Sequence, residues 1–142
     1  MKKYTVSYSL EALDTAAQEL YYFMPRYSVF TFSGPLGAGK TTLVQALLKK
    51  CGIYDIVPSP TFTYFTQYTN QQDQTFYHFD LYRLKNREEF SALGFEEYLF
   101  LPSSWVFIEW PEIIFPLLIK NCCHCSINYI STDTRELLYT LV

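Results

Sequence analysis

The sequence predicts an α/β fold, a three-layer sandwich whose mixed sheet includes antiparallel hairpins. Three observations predict it. The stretch Gly34-Pro35-Leu36-Gly37-Ala38-Gly39-Lys40-Thr41 matches the phosphate-loop pattern G-x-x-x-x-G-K-S/T without a mismatch. An apolar run at 28–32 precedes it as a buried strand, and residues 42–50 follow it as a helix, the order that aims a helix N-terminus at an anion. Further along, pairs of β-like runs are joined by polar turns, the signature of hairpins. Together these give a P-loop NTPase-like architecture, and 142 residues set it as a single domain over 1–142.

The elements follow in order. Ser9 is placed to cap a helix with Leu10, Leu13, Ala17, Leu20 and Met24 near a 3.6-residue period, ended by Pro25 and Arg26. After the strand and the glycine loop, the second helix carries Leu43, Val44, Leu47, Leu48 and Cys51 as its buried stripe, and Gly52 provides a left-handed stop. Val57-Pro58-Ser59-Pro60-Thr61 cannot be regular helix or central strand, so it is a stiff loop with the Ser59 and Thr61 hydroxyls free. Residues 62–68 alternate, with Phe62, Tyr64 and Tyr68 on one face. A polar link at 70–74 leads to a second strand at 75–80. Asn86 with Glu89 forms a capping-box pattern for a short helix that Gly94 breaks. Residues 95–100 add a turn or two of helix. Trp105-Val106-Phe107-Ile108 is apolar throughout and reads as a strand buried on both faces. A short apolar helix reaches Leu118, and strands at 123–131 and 136–142 close the chain.

Composition excludes several classes. Apolar residues make up 49% of the chain, enough to bury a core, which argues against disorder. A net charge of −3 with scattered Lys and Arg gives no electrostatic footprint for autonomous nucleic-acid binding. No signal-peptide pattern is present, and the longest apolar run, 113–119, contains Pro116 and is too short to span a bilayer. A cytoplasmic protein with no membrane association is expected. Cys122-Cys123-His124-Cys125 is a single knuckle inside an expected strand, so its thiols read as structural rather than metal-binding.

The phosphate loop assigns roles by chemistry. Gly37, Ala38, Gly39, Lys40, Thr41 and Thr42 form the nucleotide seat. Backbone N–H groups and Lys40 meet phosphate oxygens, and the Thr41 hydroxyl meets Mg2+. Such a site also needs an acid at the end of a neighbouring strand. Asp80 and Glu109 both qualify. The run before Glu109 is the more apolar, which assigns Glu109 to the metal and leaves Asp80 for positioning water or a switch loop. His78 reads as a core histidine rather than a general base. Arg83 suits either phosphate stabilisation or a salt bridge, and Trp110 either a mobile loop or partner contact or a buried anchor.

Four motifs, 34–42, Ser59-Pro60-Thr61-Phe62-Thr63, His78-Phe79-Asp80-Leu81-Tyr82-Arg83-Leu84 and Ile108-Glu109-Trp110-Pro111-Glu112, resemble in order and spacing the TsaE (YjeE) family. These are small bacterial ATPases needed for threonylcarbamoyladenosine in tRNA. The resemblance implies ATP and Mg2+ as cofactors and slow, partner-stimulated ATP hydrolysis. It implies docking on TsaD and TsaB, so that tRNA is reached only through that complex. Thr41 and Glu109 match its magnesium positions, Lys40, Asp80 and Glu109 its catalytic set, and Ser59, Thr61 and Trp110 its switch and partner positions. Pro35 departs from the family, which usually carries an acidic or polar residue there, and removes one N–H from the loop. The alternative function is a small-molecule or nucleotide kinase, which needs an acceptor pocket and lid arginines; only Arg83 and Arg87 lie close together.

Overall fold

A computed structural model describes residues 1–58 and 64–142. Seven strands form one mixed sheet in the order β1-β7-β6-β2-β5-β4-β3. They are β1 (Lys2–Ser9), β2 (Val29–Ser33), β3 (Phe65–Thr69), β4 (Thr75–Asp80), β5 (Ser104–Glu109), β6 (Cys122–Tyr129) and β7 (Thr134–Leu141). The middle of the sheet is parallel, with β2 between β5 and β6 and β4 beside β5. The flanks are antiparallel: β3 with β4, β6 with β7, and β7 with β1. Both hairpins expected from the polar turns are present.

Alternation along the strands divides the core into two layers. Phe30, Phe32, Phe107, Cys125, Ile127 and Tyr139 face α1 (Leu13–Tyr21) and α2 (Lys40–Lys50). Val29, Phe79, Val106 and Ile108 face Phe90 of α3 (Arg87–Ala92), together with Phe95 and Ile114 from two 3-10 turns. The three layers are therefore helices, sheet, helices. Such a parallel centre, covered on both sides, is why 105–108 is apolar without interruption.

The local signals that set the helix ends operate as expected. The Ser9 hydroxyl accepts the Ala12 N–H at 3.2 Å, and the Asn86 carboxamide oxygen accepts the Glu89 N–H at 2.9 Å. Gly52, at φ 87, stops α2. The first helix departs from its expected phase. Residues 10–12 form a 3-10 turn, whose larger rotation per residue carries Leu10 out of the stripe, and it is 45% exposed. Tyr64 departs as well. Its φ of 66 turns it before β3 begins, so it packs with the α3 layer while Tyr68 packs with the α1–α2 layer. The strand β1 has no counterpart among the expected elements.

All four cysteines are free and buried. Burial pushes the Cys51 thiol from 9.0 up to about 12 and the Cys122 thiol up to about 11. The folded chain therefore holds thiol protons that the unfolded chain releases above pH 9. The resulting stabilisation is complete below pH 9 and is lost as pH rises through 11 and 12. Urea unfolding at a series of pH values is expected to show a free energy that declines above pH 9, and a flat profile would contradict it. Among the described residues, no helix is long and apolar enough to cross a membrane.

Candidate functional site

The phosphate loop leaves β2 at its C-terminal end and enters α2 directly. Gly34 is required at the exit: its φ is 144, and a Cβ there would lie 2.3 Å from the Ile127 carbonyl oxygen of β6. Gly39, at φ 106, turns the chain so that Lys40, Thr41 and Thr42 make the first turn of α2. A cavity of about 330 Å³ opens over this turn, walled by Leu36, Gly37, Gly39 and the first turn of α2 on one side and by Asp80, Glu109 and Trp110 on the other. A larger cleft of about 540 Å³ lies at the opposite end of the sheet, beside Cys51 and Trp105. Its polar groups serve the fold. The Asn70 carboxamide donates to the Cys51 carbonyl at 2.8 Å, and the Trp105 indole donates to the Met24 carbonyl at 2.8 Å. The smaller cavity is the one that gathers Lys40, Thr41, Asp80 and Glu109.

Lys40 is buried, and its ammonium donates to the Gly34 carbonyl at 2.7 Å and to the Pro35 carbonyl at 3.0 Å. It also sits 4.1 Å from the centre of the Trp110 ring, within cation–π range. Desolvation pulls its pKa below the ordinary lysine value, opposed by Glu109, Glu112 and Asp80. The lysine is thus charged against its solvation preference, in a place where anionic oxygens would relieve it.

Glu109 ends β5 and is 2% exposed. Two donors hold it. The Thr41 hydroxyl donates to Oε1 at 2.7 Å, and His78 Nε2 lies 2.6 Å from Oε2. His78 Nδ1 has no hydrogen-bond partner among the described residues. Nε2 is the nitrogen that donates, because a carboxylate oxygen can only accept. The carboxylate is fixed by one hydroxyl and one imidazole, and both Thr41 and Glu109 line the cavity.

Asp80 is the register neighbour of Glu109 on β4. Its Oδ1 accepts the Tyr82 N–H at 3.1 Å, and the half-buried residue lies on the cavity wall. Trp110 adopts the left-handed region, φ 57, and its ring lies 4.8 Å from that of Tyr82. Gly37, Gly39, Lys40, Thr41, Thr42, Asp80, Glu109 and Trp110 come together around one cavity, with Ala38 buried behind it. Ser59 and Thr61 lie outside the described residues. His78, expected as a core histidine, is buried as expected, and its ring is also the partner that holds Glu109.

An oxygen-only pair, the Thr41 hydroxyl and the Glu109 carboxylate, suits a hard cation such as Mg2+, which keeps several waters and takes few protein ligands. Among the described residues there is no group of three or more His, Cys, Asp or Glu suited to a metal, so the Cys122–Cys125 run forms no such site.

Comparison with known proteins points in one direction. The family model for "Threonylcarbamoyl adenosine biosynthesis protein TsaE" matches residues 7–137. A Rickettsia felis protein named tRNA threonylcarbamoyladenosine biosynthesis protein TsaE is 38% identical over 108 residues, covering 75% of this chain and 61% of the relative. The Bacillus subtilis protein of the same name is 37% identical over 114 residues, covering 80% of this chain and 70% of the relative. The match spans 61% and 60% of the length of the Rickettsia felis and Rickettsia conorii relatives. The crystal structure of Bacillus subtilis YdiB superimposes with a TM-score of 0.76 at 28% identity, covering 99% of this chain and 86% of that one. The α/β fold is P-loop NTPase-like, as the glycine loop indicated.

Proposed function

The chain belongs to the TsaE family of threonylcarbamoyl adenosine biosynthesis proteins, and from that premise we propose that it is a Mg2+-dependent ATPase serving threonylcarbamoyladenosine modification of tRNA. The observation that carries the reading is the 2.7 Å bond from Thr41 to Glu109 inside the phosphate-loop cavity. It joins a hydroxyl on the first turn of α2 to the buried carboxylate that ends β5.

In this reading Gly37, Ala38, Gly39, Lys40, Thr41 and Thr42 hold the triphosphate through N–H groups, the ammonium and hydroxyls. Lys40 exchanges the Gly34 and Pro35 carbonyls for phosphate oxygens. Thr41 and Glu109 would hold Mg2+, which would supply positive charge to the phosphate oxygens there. Asp80, on the cavity wall, orients the attacking water. The water oxygen bonds to the outer phosphorus, the bond to the ADP oxygen breaks, and both water protons leave with the phosphate as dihydrogen phosphate. His78 keeps Glu109 in place. Trp110 and residues 59–63 respond to the state of the phosphates and communicate it to the TsaD–TsaB complex, so tRNA is reached through those partners.

The test is phosphate release with and without Mg2+ and with and without TsaD and TsaB. A low basal rate that rises on adding both proteins is expected, and Lys40→Ala is expected to lose ATP binding by calorimetry. No rise in rate, together with no co-elution on a sizing column, would remove the partner from the proposal. Rapid phosphoryl transfer to a small acceptor would favour a kinase instead.

A further inference from the structure

The last hairpin reaches back under the phosphate loop through two residues that no motif marks. Arg135 of β7 is buried, 6% exposed. Its Nε donates to the Ala38 carbonyl at 3.1 Å. Its Nη1 donates to the carbonyls of Ser131, Thr132 and Thr134 at 2.9, 3.2 and 3.2 Å. The guanidinium lies 4.2 Å from the centre of the Tyr129 ring, and the Tyr129 hydroxyl donates to the Leu36 carbonyl at 3.2 Å. Two alternate carbonyls of the loop are thereby tied to the hairpin.

A trans peptide unit holds its C=O and its N–H on opposite sides. The Leu36 carbonyl shares a unit with the Gly37 N–H, and the Ala38 carbonyl shares one with the Gly39 N–H. Fastening both carbonyls to the hairpin turns both N–H groups away from it. Gly37 and Gly39 line the cavity, whereas Ala38 is buried on the far side. The guanidinium also carries a permanent charge. Among the described residues no carboxylate lies within salt-bridge distance of it. A buried cation met by carbonyl dipoles and a ring face, with no counter-charge, raises the potential of the loop it touches and favours an anion there.

We propose that Arg135 and Tyr129 are positioning residues of the phosphate loop, aiming the Gly37 and Gly39 N–H groups at the bound phosphates, with Arg135 adding a fixed positive charge behind them. The inference rests on the nucleotide-binding reading above and extends it to the opposite wall of the loop.

The experiment measures calorimetric affinity for ATP with Mg2+ and for inorganic tripolyphosphate, which has no base. It compares the full chain with Arg135→Met, Arg135→Lys and Tyr129→Phe, and records each melting temperature. Arg135→Met is expected to weaken both ligands about tenfold, Tyr129→Phe about threefold, and Arg135→Lys, which keeps the charge and loses the fork, to fall between wild type and Arg135→Met. A role confined to packing the hairpin predicts wild-type affinity in every variant that folds, and that result overturns the proposal. If Arg135→Met does not fold, Tyr129→Phe decides alone: it removes one hydroxyl from a half-exposed ring, and unchanged affinity for both ligands overturns the proposal. A wild-type chain that binds neither ligand overturns the nucleotide reading itself, a result distinct from variants that bind as well as wild type.

Discussion

Replacing Glu109 by glutamine is expected to lower Mg2+-dependent ATP turnover about 100-fold while the chain stays folded and retains most of its affinity for ATP. Two donors, Thr41 and His78, hold the carboxylate in the wild-type chain. Glutamine can turn its amide so that the oxygen accepts from His78 Nε2 and the nitrogen donates to the Thr41 hydroxyl oxygen, the two positions that the carboxylate oxygens hold now. The side chain therefore stays in place but is neutral, and the anion that should meet the metal is gone. Titrating Mg2+ against turnover checks this. Mg2+ dependence that matches wild type would transfer the metal role to Asp80 on the cavity wall.

Gly34→Ala is expected to be the most damaging single-methyl addition in the loop. The added Cβ would stand 2.3 Å from the Ile127 carbonyl oxygen, backbone that cannot rotate aside, in a conformation, φ 144, that side chains rarely adopt. Strain and overpacking together give a loss of about 2–6 kcal/mol. Gly39→Ala is the matched control. Gly39 also has a positive φ, 106, but a Cβ there meets nothing within 4 Å, so only the strain of about 1–3 kcal/mol remains. Denaturant unfolding of the two variants should rank Gly34→Ala well below Gly39→Ala. Equal losses would mean that the approach of β6 to the loop is softer than the geometry requires.

The parts of this fold that were legible in the sequence are those set by neighbours along the chain. The glycine loop, the Ser9 and Asn86 caps, the apolar strand before Glu109 and the two hairpins each depend on a window of a few residues. What escaped depends on pairing across distance. The strand β1 was hidden because only one of its residues, Tyr8, is fully buried, and its single partner, β7, lies at the other end of the sequence. Tyr4, Val6 and Tyr8 do alternate, but a lone edge strand with lysines at its start gives a weak signal. The order of β2 between β5 and β6 is likewise a property of the whole sheet. In the site, Thr41, Glu109 and Asp80 could be read because each ends a recognisable element. The contact of His78 with Glu109 could not, since it requires β4 to lie beside β5 in one register. Arg135 was invisible for the same reason: its partner carbonyl in the phosphate loop, Ala38, stands 97 positions earlier.

The stacking of Lys40 on Trp110 has an optical consequence. An ammonium 4.1 Å from an indole perturbs the ring's excited state, and a phosphate that draws the ammonium away removes that perturbation. The chain has two tryptophans. Trp105 stands at the far end of the sheet, its indole tied to the Met24 carbonyl and its ring stacked on Phe76. One tryptophan is therefore a constant background and the other an intrinsic reporter, so the emission of the unlabelled protein should follow occupancy of the loop in real time.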